Sequence, residues 1–228
     1  MLERLGAAPG ATPAGRHASL SEIWCGSQSA STENSGSITG TSGGKVYVGG
    51  IHAAQNHETL RLCNVTHVVN CMNRCGLNQQ PGIEYYNFPI ERWRQLIDEQ
   101  PLTELVSSVK DESRFQAQRM PASGEAVAAF FSGPLKFIRD TVDGGGNVLV
   151  HCWAGAHRAG TTGVAWLMHA ERLSTRQALE VAQRCRPVID PKAYPELFSL
   201  LLKLQAHDVN SLSAPAATTT EHDQVAST

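Results

Sequence analysis

Cys152 and Arg158 stand six positions apart in the stretch His151-Cys-Trp-Ala-Gly-Ala-His-Arg158. A thiol and a guanidinium so placed suit chemistry on a phosphate ester. Consecutive backbone N–H groups ahead of a helix N-terminus make an anion cradle, here spanning Trp153, Ala154, Gly155, Ala156, His157 and Arg158. The positive end of that helix favours a thiolate, which makes Cys152 the candidate nucleophile. Arg158 offers a planar fork that holds two phosphate oxygens at once, as lysine cannot. Gly155 is read as letting the backbone approach the anion closely. Trp153 and His157 flank the cradle, either facing substrate or supporting the loop. His151 is expected to orient the loop by hydrogen bonding. The bare pair decides little, since six cysteines and 19 basic residues among 228 give about 0.5 such spacings by chance. The weight comes from the elements around it.

Those elements are a strand and a helix. Val148-Leu-Val150 is a short apolar run, suited to a strand buried on both faces, and Asp143-Gly-Gly-Gly146 punctuates its start. Gly160 to Glu171 has the length and composition of a buried helix. Earlier, Val46 to Val48 is strand-like and Ile51 to Leu62 reads as a helix, with Ile51, Ala54, Leu60 and Leu62 as candidate core positions. Val65 to Met72 and Tyr85 to Ile90 read as further strands. A helix from Gly124 carries Val127, Phe130, Phe131, Leu135, Ile138 and Val142 at near-helical spacing as core positions, with a kink expected at Gly133-Pro134. Ser174-Thr-Arg-Gln177 is a capping-box pattern, Arg186-Pro187 breaks the helix it opens, and Pro191 to about Ala206 is a last helix with Tyr194, Leu197, Leu200, Leu201 and Leu204 inward. Strands alternating with helices predict an α/β fold, a single domain with a central, mostly parallel sheet flanked by helices.

The remainder bounds the chain. Residues 1–44 are rich in Gly, Ala, Ser, Thr and Pro and read as a disordered extension, apart from Ile23 and Trp24, which could pack on the domain or bind a partner. Residues 45–206 form the folded unit, and 207–228 a disordered tail. A formal net charge of −2 gives no expectation of nucleic-acid binding or of attraction to a membrane, and no apolar run approaches a membrane span. The start of the chain lacks a secretory pattern, and the six cysteines form neither a disulfide framework nor a zinc pattern. Reduced thiols in the cytoplasm, or the nucleus, are the expectation. No metal or cofactor is called for: His52 and His57 lack an acidic or cysteine partner to complete a site.

His151 to Arg158 resembles the His-Cys-x5-Arg signature of the cysteine-dependent protein tyrosine phosphatase superfamily. The rest resembles its dual-specificity branch. Lys45-Val-Tyr-Val-Gly-Gly-Ile-His-Ala-Ala54 is similar to the branch's opening strand and first helix, and Thr66-His-Val-Val-Asn-Cys71 to its second strand. Ile83-Glu-Tyr-Tyr-Asn-Phe-Pro-Ile90 resembles the strand feeding the acid loop, and Arg184-Cys-Arg-Pro-Val-Ile-Asp-Pro191 the C-terminal end. The resemblance runs from about Lys45 to about Leu204, leaving out an insert at about 93–122 that reads as a substrate-specificity lid. It implies a metal-independent phosphatase acting on phosphotyrosine, and on phosphoserine or phosphothreonine, of a phosphorylated protein. Two alternatives stay open, a catalytically weak phospho-binding module and a phosphatase for a non-protein ester.

Two positions depart from the family pattern. Arg92 falls where the family places an aspartate acid, leaving Glu91, Asp98 and Asp111 as candidates, of which Asp98 and Glu91 are carried forward. Ala159 replaces the Ser or Thr that follows the arginine, and Thr162, or Thr161, is expected to compensate in part. Cys71 is read as a buried strand cysteine, with redox pairing to Cys152 as the lesser alternative.

Overall fold

The computed structural model describes residues 20–26, 43–73, 79–96 and 123–213. Its strands are β1 (Leu20–Cys25), β2 (Lys45–Gly49), β3 (Val65–Asn70), β4 (Glu84–Asn87) and β5 (Asn147–His151). They form one sheet in the order β1-β2-β5-β3-β4. The last four run parallel, and β1 lies antiparallel to β2 at the edge. The apolar run of β5 is therefore central, with Val148, Leu149 and Val150 all at 0% exposure.

Helices cover both faces, which is why β5 is apolar without alternation. Leu149 looks toward α1 (Ile51–Gln55) and α2 (His57–Leu62). Val148 and Val150 look toward the larger layer of α3 (Gly124–Asp143), α4 (Arg158–Glu171), α5 (Thr175–Cys185) and α6 (Pro195–Ser213). The helix α4 is buried from Ala159 through Met168. It can lie this close to the sheet because position 163 is glycine: a Cβ there would stand 2.8 Å from Val48 Cγ2 and 2.9 Å from Ile23 Cδ1. At the start of α5 the capping box is formed, with Ser174 accepting from the Gln177 amide and Gln177 accepting from the Ser174 amide.

Several expectations need correction. Part of the supposed N-terminal extension is a strand, because Ile23 and Trp24 bury against the sheet and α4 and draw Leu20–Cys25 into pairing with β2. The supposed tail begins later, since α6 continues to Ser213. The chain is strand only over Glu84–Asn87 and then turns into a 3-10 helix at Ile90–Leu96. A single helix over Ile51 to Leu62 is in fact two, separated at Asn56, whose side chain accepts from the Thr59 amide and caps α2. Leu62, at the end of α2, is 52% exposed. The helix α3 continues through Gly133-Pro134 to Asp143, with Val127, Phe131, Leu135, Ile138 and Val142 buried and Phe130 only partly so. Tyr194 lies before α6 instead of within its inward face, and is 50% exposed. The expected lid beyond Leu96, with Asp98 and Asp111, falls outside the described residues.

Candidate active site

β5 ends at His151 and α4 begins at Arg158, so Cys152 to His157 form the connecting loop at the C-terminal edge of the parallel strands. This is the edge at which open α/β sheets bind ligands. Cys152 sits at the loop's base, 2% exposed. Four successive carbonyls of the loop are tied to its outside. Trp153 O accepts from the Ile51 amide at 3.0 Å, and Ala156 O from the Asp190 amide at 3.2 Å. Between them, Arg186 donates from Nη2 to Ala154 O at 3.1 Å and from Nε to Gly155 O at 2.9 Å. A trans peptide sets its N–H opposite its C=O, so the amides of Ala154, Gly155, Ala156 and His157 turn toward the loop interior, above Cys152. Together with the N-terminus of the 14-residue α4, this is an anion-binding cradle.

Gly155 carries a constraint beyond the one expected. Its φ is +68°, and a Cβ at this position would lie 2.4 Å from the carbonyl carbon of Gly49 and 2.8 Å from Gly50 N. The glycine lets the loop fold onto the end of β2, and the loop's shape follows from that.

Arg158, the first residue of α4, pairs with Glu91 of the 3-10 helix through Nη1 and Oε1. Glu91, a candidate acid from the sequence, therefore stands as the counter-ion of Arg158. Arg92 is exposed. Asp98 and Asp111, the other candidate acids, lie outside the described residues. The hydroxyls of Thr161 and Thr162 donate to carbonyls one turn back, His157 O at 2.8 Å and Arg158 O at 3.1 Å. Thr162 Oγ1 also lies 3.4 Å from Cys71 Sγ. Neither hydroxyl is bonded to Cys152 in this arrangement. Cys71, fully buried at the end of β3, has its thiol pKa pushed up, by burial first, against the hydrogen bond to Thr162.

His151 is wholly buried, and neither ring nitrogen makes a hydrogen bond of good geometry among the described residues, the Cys152 backbone being its polar neighbour. Burial pushes its pKa down to about 4, against the opposing pull of the Cys152 backbone. A neutral imidazole wedged between layers supports the loop by filling space. Trp153 points to solvent, 68% exposed. His157 meets the ring of Tyr194 edge-on, with centroids 4.7 Å apart. Beside Arg158 these two rings and Trp93, with Glu91 and Glu196, line an open cavity of about 280 Å³.

The sequence reading missed Arg186, Glu196, Trp93 and the Gly49-Gly50 corner. Arg186 did carry a signal, being a basic residue at the helix-breaking Arg-Pro step, but only the fold shows which carbonyls it reaches.

Known proteins resemble this chain in sequence and fold. The family model described as dual specificity phosphatase, catalytic domain, matches residues 46–202. Dual specificity protein phosphatase 2 of Mus musculus is 24% identical over 146 residues, which is 64% of this chain and 37% of that protein. The MAP kinase phosphatase with leucine-rich repeats protein 3 of Dictyostelium discoideum is 25% identical over 161 residues, 71% of this chain and 15% of that protein. The chain thus matches well under half the length of these relatives. Among solved structures, human DUSP28 aligns with a TM-score of 0.51 at 23% identity, covering 74% of this chain and 90% of that one, a likeness of fold. With the match running from β2 into α6 over this sheet and loop, the chain belongs to the dual specificity phosphatase catalytic-domain family.

Proposed function

We propose that the chain is a metal-independent cysteine phosphatase that hydrolyses phosphotyrosine, and more slowly phosphoserine and phosphothreonine, on a phosphorylated protein. The observation that carries this reading is the set of four outward-tied carbonyls, which aims consecutive amides over the Cys152 thiol with Arg158 at the loop's end. As a thiolate, Cys152 attacks phosphorus in line, the S–P bond forms and the P–O ester bond breaks. The loop amides and Arg158 balance charge on the equatorial oxygens. The leaving oxygen takes a proton, and water then breaks the S–P bond, releasing inorganic phosphate and the thiolate.

The proton source decides which esters suit the site. Glu91 is engaged with Arg158, and Asp98 is the acid we assign to the leaving oxygen. Acid help is worth ~10²–10⁴ in rate, and aryl esters need it least because their leaving oxygens are weakly basic. Phosphotyrosine is accordingly the preferred substrate. The five described cysteines are all free thiols, which suits a reducing compartment such as the cytoplasm or nucleus.

A second reading, a phospho-binding module with little turnover, draws on Ala159 and on the commitment of both neighbouring threonine hydroxyls to backbone carbonyls. Hydrolysis of p-nitrophenyl phosphate in the presence of a chelator separates the two. Turnover that Cys152→Ser removes and that Arg158→Lys lowers about 10²-fold is expected. Phosphate binding that depends on Arg158, without turnover, establishes the module instead.

A further inference from the structure

The cavity beside Arg158 holds two carboxylates, Glu91 and Glu196, walled by the rings of Trp93, Tyr194 and His157. Glu91 is neutralised by Arg158. Glu196 has no ion-pair partner among the described residues. A phosphate dianion entering the loop draws on the same guanidinium as Glu91, whose contact with it runs through Nη1. Shared with phosphate, Arg158 compensates Glu91 less, while Glu196 faces the same cavity without an ion pair among the described residues. A cation in the cavity relieves both carboxylates.

We propose that the substrate supplies that cation: the cavity receives a lysine or arginine side chain adjacent in sequence to the phosphorylated residue. The inference rests on the phosphatase reading of the loop and names the substrate class of that same site. Three features fit a long basic side chain. The cavity shares Arg158 with the phosphate loop, so its occupant is a near neighbour of the phosphoresidue. Tyr194 is half exposed and Trp93 is buried, so the cavity offers an aromatic wall for an aliphatic stem and a ring face for the charge. Glu91 and Glu196 supply the opposite charge. An acidic neighbour meets repulsion in the same place, which makes the cavity a device for discrimination as well as attraction.

Three phosphotyrosine peptides, identical except for Arg, Ala or Glu next to the phosphotyrosine, test this directly. We expect kcat/KM to fall in that order, by about tenfold from Arg to Glu, mostly through KM, with a spread that narrows as salt is raised. Glu196→Gln should shrink the Arg-to-Glu ratio to about threefold, and Glu196→Arg should invert it. Because the readout is a ratio within one protein, a loss common to all three peptides cancels. Glu196 also lies in the first turn of α6, where a carboxylate complements the helix dipole. That role would move thermal stability and leave the ratio alone. A wild-type protein indifferent to the neighbour, or a ratio untouched by Glu196→Gln, overturns the proposal. Failure to hydrolyse p-nitrophenyl phosphate sinks the phosphatase reading instead. In that event, fluorescence polarisation of the same peptides on the Cys152→Ser protein still decides whether the cavity prefers the basic one.

Discussion

Arg186 is 8% exposed, with its guanidinium on the backs of Ala154 and Gly155. Burial lowers its pKa from the ordinary arginine value, against the pull of Cys152. It holds two peptide planes of the loop from behind, and under the phosphatase proposal it acts without touching substrate. Arg186→Ala frees both carbonyls, and a displacement near 1 Å in a catalytic loop costs on the order of 10²-fold. We expect kcat/KM for p-nitrophenyl phosphate to drop by about that factor, with Arg186→Lys restoring part of it. The inhibition constant of inorganic phosphate should rise in parallel, which a purely structural lesion would not select for. Cys152 and Arg158 were legible in the sequence because they sit in one local motif. Arg186 was not, since hydrogen bonds to residues 31 and 32 positions away give it its role. Gly155 was legible as a glycine of consequence, yet its partner, the end of β2, comes from a distant part of the chain.

Among the elements, β1 shows where sequence patterning runs out. Leu-Ser-Glu-Ile-Trp-Cys has neither clean alternation nor a turn to β2, and 19 residues separate the two strands. What fixes β1 is tertiary. Trp24 stands edge-on to Trp166 with centroids 5.2 Å apart, and its Nε1 donates to Glu171 at 2.8 Å, so the strand is pinned to the C-terminal half of α4. Trp24→Ala should destabilise the fold by about 3 kcal/mol, read as a lower urea midpoint at unchanged m. A change below about 0.5 kcal/mol would mean that β1 is not part of the cooperative unit. Local signals fared better: the Ser174 capping box needs only four consecutive residues. Along α3 the packed stripe carries the helix on past Pro134 despite the missing backbone donor.

For the whole molecule, the alternation of strands and helices was enough to predict the layered α/β arrangement, and the central place of β5 followed from its uninterrupted apolar run. The burial of His151 in that centre was not visible, and it makes stability depend on acid. The ring's pKa falls from 6.5 in the unfolded chain to about 4 in the folded one. Between those values the unfolded state binds more protons, so stability is whole above pH 6.5 and falls as the pH drops toward 4, by about 3 kcal/mol. His169, lowered by burial and then by Arg139 and Arg172, adds in the same direction. Urea midpoints at neutral pH and near pH 5 should separate, and His151→Leu should narrow that separation. The edge position of β1 has a further meaning for where the domain ends. The family match begins at residue 46, yet a chain cut there loses the strand that pairs with β2. It would leave a row of unpaired backbone groups beside the freshly uncovered Val46 and Val48, a template on which a second copy can add its own strand. The antiparallel strand outside the family boundary is therefore the guard that keeps this sheet from growing into its neighbours.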